Sequence, residues 1–113
     1  MSKLSELEIR VLEVFCESFP EYFGRKIEFH AVGSCERSFS GQGFMTELPN
    51  ISELQTASYI DRLVWDKATA MINDETLVGF LVYLEDGKLT AVEGFTFGED
   101  WPEEIGSFQI YIE

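Results

Sequence analysis

Apolar and polar positions repeat along this chain with two different periods, and the change of period marks its elements. Over residues 3–19, Leu4, Leu7, Val11, Phe15 and Phe19 step by three and four, and Leu12 and Cys16 widen the stripe. Glu6, Glu13 and Glu17 fall mainly on the other side, so the pattern predicts an amphipathic helix lying across one face of a sheet. Ser5 with Glu8 three residues later fits a capping box, with Ser2 as the cap of an earlier start. Pro20 cannot continue the helix. From there the period drops to two. Arg25–Val32 sets Ile27, Phe29 and Ala31 against Lys26, Glu28 and His30, which predicts a half-buried strand broken by Gly33-Ser34-Cys35. Phe39–Leu48 predicts a second strand, whose Gly41 and Gly43 point to a bulge or a close backbone approach. Residues 50–62 have no convincing period and read as a loop or a short helical turn.

Leu63–Ile72 favours strand over helix, although neither face is clean. Asp66 shares one face with Val64, Ala68, Ala70 and Ile72, while Lys67 and Thr69 share the other with Trp65 and Met71. Asn73-Asp74-Glu75 reads as a turn. Phe80–Leu84 and Leu89–Phe97 then form the densest β signal, joined through Glu85-Asp86-Gly87-Lys88. Asp-Gly between such runs predicts a type I′ hairpin, since both central residues need φ > 0. Strict pairing sets Leu84 against Leu89, Val82 against Ala91 and Phe80 against Glu93, with Leu81 and Val92 on the other face. Both faces are apolar, which places the hairpin at the centre of the sheet. Ser107–Ile112 is a last strand. The elements sum to an α+β fold: one N-terminal helix packed on a five- to six-stranded, mostly antiparallel meander sheet.

Composition adds limits. The 113 residues suit one α+β domain spanning 1–113, and 45% apolar residues with ten Phe among sixteen aromatics exclude a disordered chain. There is no run of about 18 apolar residues and no signal-peptide pattern, so the expectation is a cytoplasmic protein with no membrane partner. Cys16 and Cys35 have no framework spacing and read as reduced, buried or half-buried thiols. The net charge is −13, and it is uneven. Residues 68–113 hold ten acids and one base, net −9, leaving −4 for residues 1–67. Such charge repels nucleic acid and anionic membranes and favours a basic protein partner.

No pattern of catalytic chemistry stands out. His30 is the single histidine, so no zinc set forms, and its place on the polar side of a strand suits a surface residue better than a general base. Gly41-Gln42-Gly43 lacks the remainder of a dinucleotide fingerprint. Glu99, Asp100, Glu103 and Glu104 lack calcium-loop spacing and read as a solvated acidic turn. The expectation is a non-enzyme without cofactor or metal. Two features depart from the bland reading. Trp101 lies among those four acids, a plausible anchor for a basic surface. Glu93 falls on the apolar face of the hairpin, where it needs a partner, Arg37 or Arg62 by sign alone, or a bulge near Gly94 to turn it outward. The candidate partner-binding residues are therefore Glu85, Asp86, Glu93, Glu99, Asp100, Trp101, Glu103 and Glu104.

Gly41-Gln42-Gly43-Phe44-Met45-Thr46, Gly79-Phe80-Leu81-Val82, and the run from Asp86 to Pro102 resemble small acidic bacterial proteins encoded beside polymorphic toxins. These include the immunity proteins of contact-dependent growth inhibition systems. The resemblance covers mainly residues 39–48 and 79–102 and carries no set of inhibitory residues. It implies an immunity protein that binds a cognate toxin domain; such toxins are often nucleases with basic substrate grooves. The alternative is an acidic adaptor or scaffold that binds another basic cellular protein. A small enzyme using His30 or the acids is a third, weaker reading.

Overall fold

A computed structural model describes residues 2–113. The helix α1 spans Glu6–Ser18, shorter at both ends than the apolar stripe, and it starts at the predicted capping box. Ser5 Oγ accepts the Glu8 amide at 3.1 Å and Glu8 Oε1 accepts the Ser5 amide at 2.7 Å. Leu7, Ile9, Val11, Leu12, Val14 and Phe15 are buried, each worth about 1.5–3 kcal/mol over leaving it exposed. Phe15 is the hub, against Phe19, Phe23 and Trp65 with ring centroids 5.3, 6.4 and 5.4 Å away.

Seven strands follow: β1 (Glu36–Phe39), β2 (Gly43–Glu47), β3 (Arg62–Trp65), β4 (Ala68–Ile72), β5 (Thr76–Glu85), β6 (Lys88–Thr96) and β7 (Phe108–Ile112). They form one antiparallel sheet in the order β1-β2-β6-β5-β4-β7, with β3 also beside β5. The α+β expectation holds, and the β5–β6 hairpin is central, as its two apolar faces required. Its turn has φ of 51° at Asp86 and 77° at Gly87, the type I′ signature. Asn73 and Asp74 make the same kind of turn between β4 and β5, with φ of 55° and 58°.

Four expectations need correction. Arg25–Val32 is no strand: Phe29–Ala31 forms a 3-10 turn between left-handed Gly24 and Gly33. Ile27, Phe29 and Val32 are buried there, so the alternation records a segment tucked into the core without joining the sheet. Phe39–Leu48 is not one strand: Phe39 ends β1 and Gly43–Glu47 is β2, because Gly41 at φ 88° closes a turn in which the Ser40 amide reaches the Gly43 carbonyl. Leu63–Ile72 is β3 and β4, both against β5 with a one-residue slip at Asp66-Lys67. That slip moves Leu63 and Trp65 onto the same face as Ala68, Ala70 and Ile72, which cures the mixed faces of the regular pattern.

The fourth correction concerns the hairpin register. Leu84 pairs with Leu89 as expected, but the register then shifts by one, so that Val82 meets Val92, Leu81 meets Glu93 and Phe80 meets Gly94. The extra residue is Thr90, whose carbonyl accepts the Leu48 amide at 2.9 Å. The bulge lies at Thr90 and not near Gly94. It sends Val92 inward and Glu93 outward.

The inner face carries Phe44, Trp65, Ala70, Ile72, Val78, Phe80, Val82, Leu84, Leu89 and Val92, all buried beneath α1 and the segments after it. The outer face carries Met45, Met71, Leu77, Leu81, Tyr83, Phe95 and Tyr111, and none of these belongs to the core or packs against it. The least molecular extent, 22 Å, is that of two layers, helix on sheet. Among the described residues, nothing covers the outer face.

Candidate functional site

Register maps this bare face strand by strand. One row across the sheet runs Glu36, Glu47, Ala91, Tyr83, Val64; the next runs Ser38, Met45, Glu93, Leu81. A third runs Gly43, Phe95, Gly79, Thr69, Tyr111, and Leu77 and Met71 lie below it. The glycines sit where aromatic or backbone groups must pass. A Cβ on Gly79 would meet the Phe95 ring at 2.6 Å, so that ring lies flat across β5. A Cβ on Gly43 would meet the Gly94 carbonyl oxygen at 2.2 Å. Phe95 stands edge-on to Phe97, centroids 5.5 Å apart, and Phe97 is 62% exposed. Beside them, a hollow of about 320 Å³ is bordered by Ser38, Met45, Glu93 and Phe95, with Gly43 among its walls.

Carboxylates bound this apolar surface. Glu36 and Glu47 are exposed and directly opposite on β1 and β2, a like-charge pair that weakens the strand pairing it sits on. Glu93 adds a third carboxylate, two residues along β6 from the partner of Glu47. Its Oε1 accepts the Tyr83 hydroxyl at 2.7 Å, and this bond, with burial, pushes the Tyr83 phenol up to about 12. At the lower end of the sheet, Asp74 and Glu75 in the β4–β5 turn join Glu99 and Asp100 after β6, all four exposed. Residues 89–113 contain no lysine or arginine. Cations stand at the opposite end, where Glu85 pairs in register with Arg62 and Lys88, and at the slip between β3 and β4, where Lys67 is exposed 3.7 Å from Asp66.

The eight residues singled out from sequence do not form one site. Nine residues of β6, at about 3.4 Å each, hold Glu85 and Asp86 roughly 30 Å from Glu99 and Asp100. The Asp86-Gly87 turn is tied down by the preceding loop, with Asp86 and Gly87 amides on the Asp61 and Ile60 carbonyls at 2.8 and 2.9 Å. Trp101 is no free anchor. It turns to the inner side and packs edge-on to Phe44, centroids 5.1 Å apart, against the core. Glu103 and Glu104 are exposed on the loop after it, which Asn73 organises by donating to the Glu104 carbonyl at 2.8 Å. Only Glu93, with Glu85 at the far margin, stands on the bare face.

Neither proposed cation reaches Glu93 by a hydrogen bond or an ion pair. Arg37 instead points inward to Glu8, which is 1% exposed and also accepts the Thr46 hydroxyl. His30 is exposed beside Glu6, 3.2 Å away. Both cysteines are free, Cys35 buried and Cys16 half-buried, and burial pushes the Cys16 thiol up to about 12. That agrees with the reading of buried or half-buried free thiols.

The residues missed from sequence are Glu36, Glu47, Leu77, Phe95 and Phe97. One signal pointed to them: the pattern supplies two apolar sheet faces but a single helix, enough to cover only one. The chain matches no known family model, no curated protein and no solved structure. No helix among the described residues is long and apolar enough to cross a membrane.

Proposed function

We propose that this protein acts in the cytoplasm by binding and covering a basic protein domain, as an immunity protein covers its cognate toxin. The carrying observation is the bare apolar sheet face, bounded by Glu36, Glu47 and Glu93 on one flank and by Asp74, Glu75, Glu99 and Asp100 below. An apolar centre with a charged rim is the anatomy of a protein interface, and an exposed aromatic such as Phe97 is its natural anchor. The net charge of −13 would steer a basic partner to this surface, with on-rates raised about 10- to 1,000-fold over a neutral encounter. The resemblance of residues 39–48 and 79–102 to toxin-associated proteins makes a toxin domain the partner of choice, its basic substrate groove the surface covered. The acids at Glu103 and Glu104 lie outside the face and contribute to the long-range field only.

The direct experiment is co-purification with the protein encoded next to this chain, followed by rescue of growth from that protein's toxicity. A stoichiometric complex and rescue are expected. A complex without rescue would favour an acidic adaptor instead, and no complex at physiological salt would remove the proposal. Reversing Glu36, Glu47, Glu99 and Asp100 to lysine is expected to slow association at least about tenfold and flatten its salt dependence. Phe97→Ala is expected to speed dissociation by about tenfold or more.

A further inference from the structure

The β1 and β7 edges of the sheet are treated differently. At the β1 edge the strand is four residues long and carries Glu36 and Arg37, and Ser2 continues the pairing on Cys35, its amide 2.9 Å from the Cys35 carbonyl. Short, charged strands of this kind guard an edge against further pairing. The β7 edge has no such guard. Its sequence, Phe108-Gln109-Ile110-Tyr111-Ile112, contains no charge, proline or glycine. Tyr111 and Ile112 are each 47% exposed.

The ladder fixes which backbone groups of β7 are spare. The Asn73 amide donates to the Ser107 carbonyl at 2.9 Å and the Glu113 amide to the Lys67 carbonyl at 3.0 Å, framing the β4–β7 pairing. By antiparallel alternation Gln109 and Tyr111 turn their N–H and C=O groups to β4, and Phe108, Ile110 and Ile112 turn theirs outward. On the inner side, a groove of about 520 Å³ runs between β7 and α1, bordered by Val14 and Ser18 of the helix and by Phe108, Ile110 and Ile112 of the strand. A strand added at this edge would pair its backbone with the spare groups and place alternate side chains in that groove.

We infer that the added strand is β7 of a second copy, and that the protein is a symmetric dimer built on one continuous sheet. The spare groups are self-complementary. With a two-fold axis at Ile110, Ile110 pairs with its own mate and Phe108 pairs with Ile112, so every outward group finds its partner in antiparallel register. Charge leaves this edge open to the same occupant. Two chains of −13 repel, and they can approach only where the acid is sparse. β7 is uncharged between Ser107 and Glu113, and in the groove beside it Glu17 is already paired with Arg10 at 3.1 Å, whereas the acids bounding the open face suit a basic partner and repel a copy. A two-fold axis normal to the sheet also leaves both open faces on the same side, free for partners. This inference stands apart from the toxin reading, since it concerns another edge and another occupant.

Sedimentation equilibrium over a wide concentration range tests it, with residue-resolved amide exchange on the unaltered protein. A dimer is expected, with the Phe108, Ile110 and Ile112 amides protected at high concentration and losing protection on dilution. Ile112→Lys places a charge in the shared groove and is expected to give a folded monomer, whereas Phe97→Lys on the open face leaves the dimer intact. A protein that stays monomeric throughout would overturn the inference. So would a dimer in which these three amides exchange independently of concentration, whether or not the lysine variant folds.

Discussion

Replacing Arg37 by methionine strands a carboxylate in the core. Glu8 is 1% exposed, and its acceptors are filled by the Ser5 amide, the Thr46 hydroxyl and the fork of Arg37. Arg37 is pinned in turn by Thr46 Oγ1 at 3.1 Å and the Lys3 carbonyl at 3.0 Å. Removing one partner of a buried pair leaves an uncompensated charge and costs about 3–5 kcal/mol. A domain of this kind has only about 5–15 kcal/mol in total. At about 4 °C per kcal/mol for a chain this long, the melting midpoint should fall by roughly 12–20 °C. Glu8→Leu alone should cost as much, since it leaves Arg37 unpaired and opens half the capping box. Joining the two changes replaces a charge pair by apolar volume and should cost only about 1–2 kcal/mol, chiefly for the Ser5 amide and Thr46 hydroxyl left without an acceptor. Urea unfolding followed by the fluorescence of buried Trp65 and half-buried Trp101 reads all three variants. Single costs below about 1 kcal/mol, or single costs that simply add in the double variant, would refute the claim that Glu8 and Arg37 act as one buried unit.

Three glycines of the sheet should respond to alanine in a fixed order of stability loss, read from urea midpoints. Gly43→Ala meets the Gly94 carbonyl and should cost about 3 kcal/mol or more; Gly94→Ala presses on the Phe44 and Trp101 rings and should cost about 1–3 kcal/mol; Gly79→Ala meets only the Phe95 ring on the bare face, which can swing away, and should cost about 1 kcal/mol or less. Folding raises the Tyr83 phenol from about 10 to about 12, so the stability it adds is full below pH 10 and is lost as pH rises through 12. Phenolate absorbance during a base titration should show this late phase, and Glu93→Gln should move it down, because the hydrogen bond to Glu93 is its largest cause.

Legibility followed the range of the forces involved. The capping box of Ser5 and Glu8, the Asp86-Gly87 turn and the Asn73-Asp74 turn depend on neighbours in sequence, and all three stand where their residue types placed them. The alternation of Arg25–Val32 misled because burial of Ile27 and Phe29 needs no strand partner. Trp101 packs on Phe44, more than fifty residues away in sequence, a contact that its acidic neighbours give no sign of. Glu93 is a misfit of the strict pattern, and its partner Tyr83 lies across the hairpin in a register that the Thr90 bulge alone decides.

The class of the fold, the helix start, the tight turns and the central place of the hairpin follow from the residues alone, because propensity, capping and left-handed φ act over a few residues. The two one-residue slips, at Asp66-Lys67 and at Thr90, come from packing between distant strands, and each slip exchanges the faces of the residues beyond it. With them, the same packing turns Glu93 outward and Arg37 inward and leaves the second apolar face bare. A period of two is blind to a single inserted residue, and pairing between distant strands is what fixes where that residue falls.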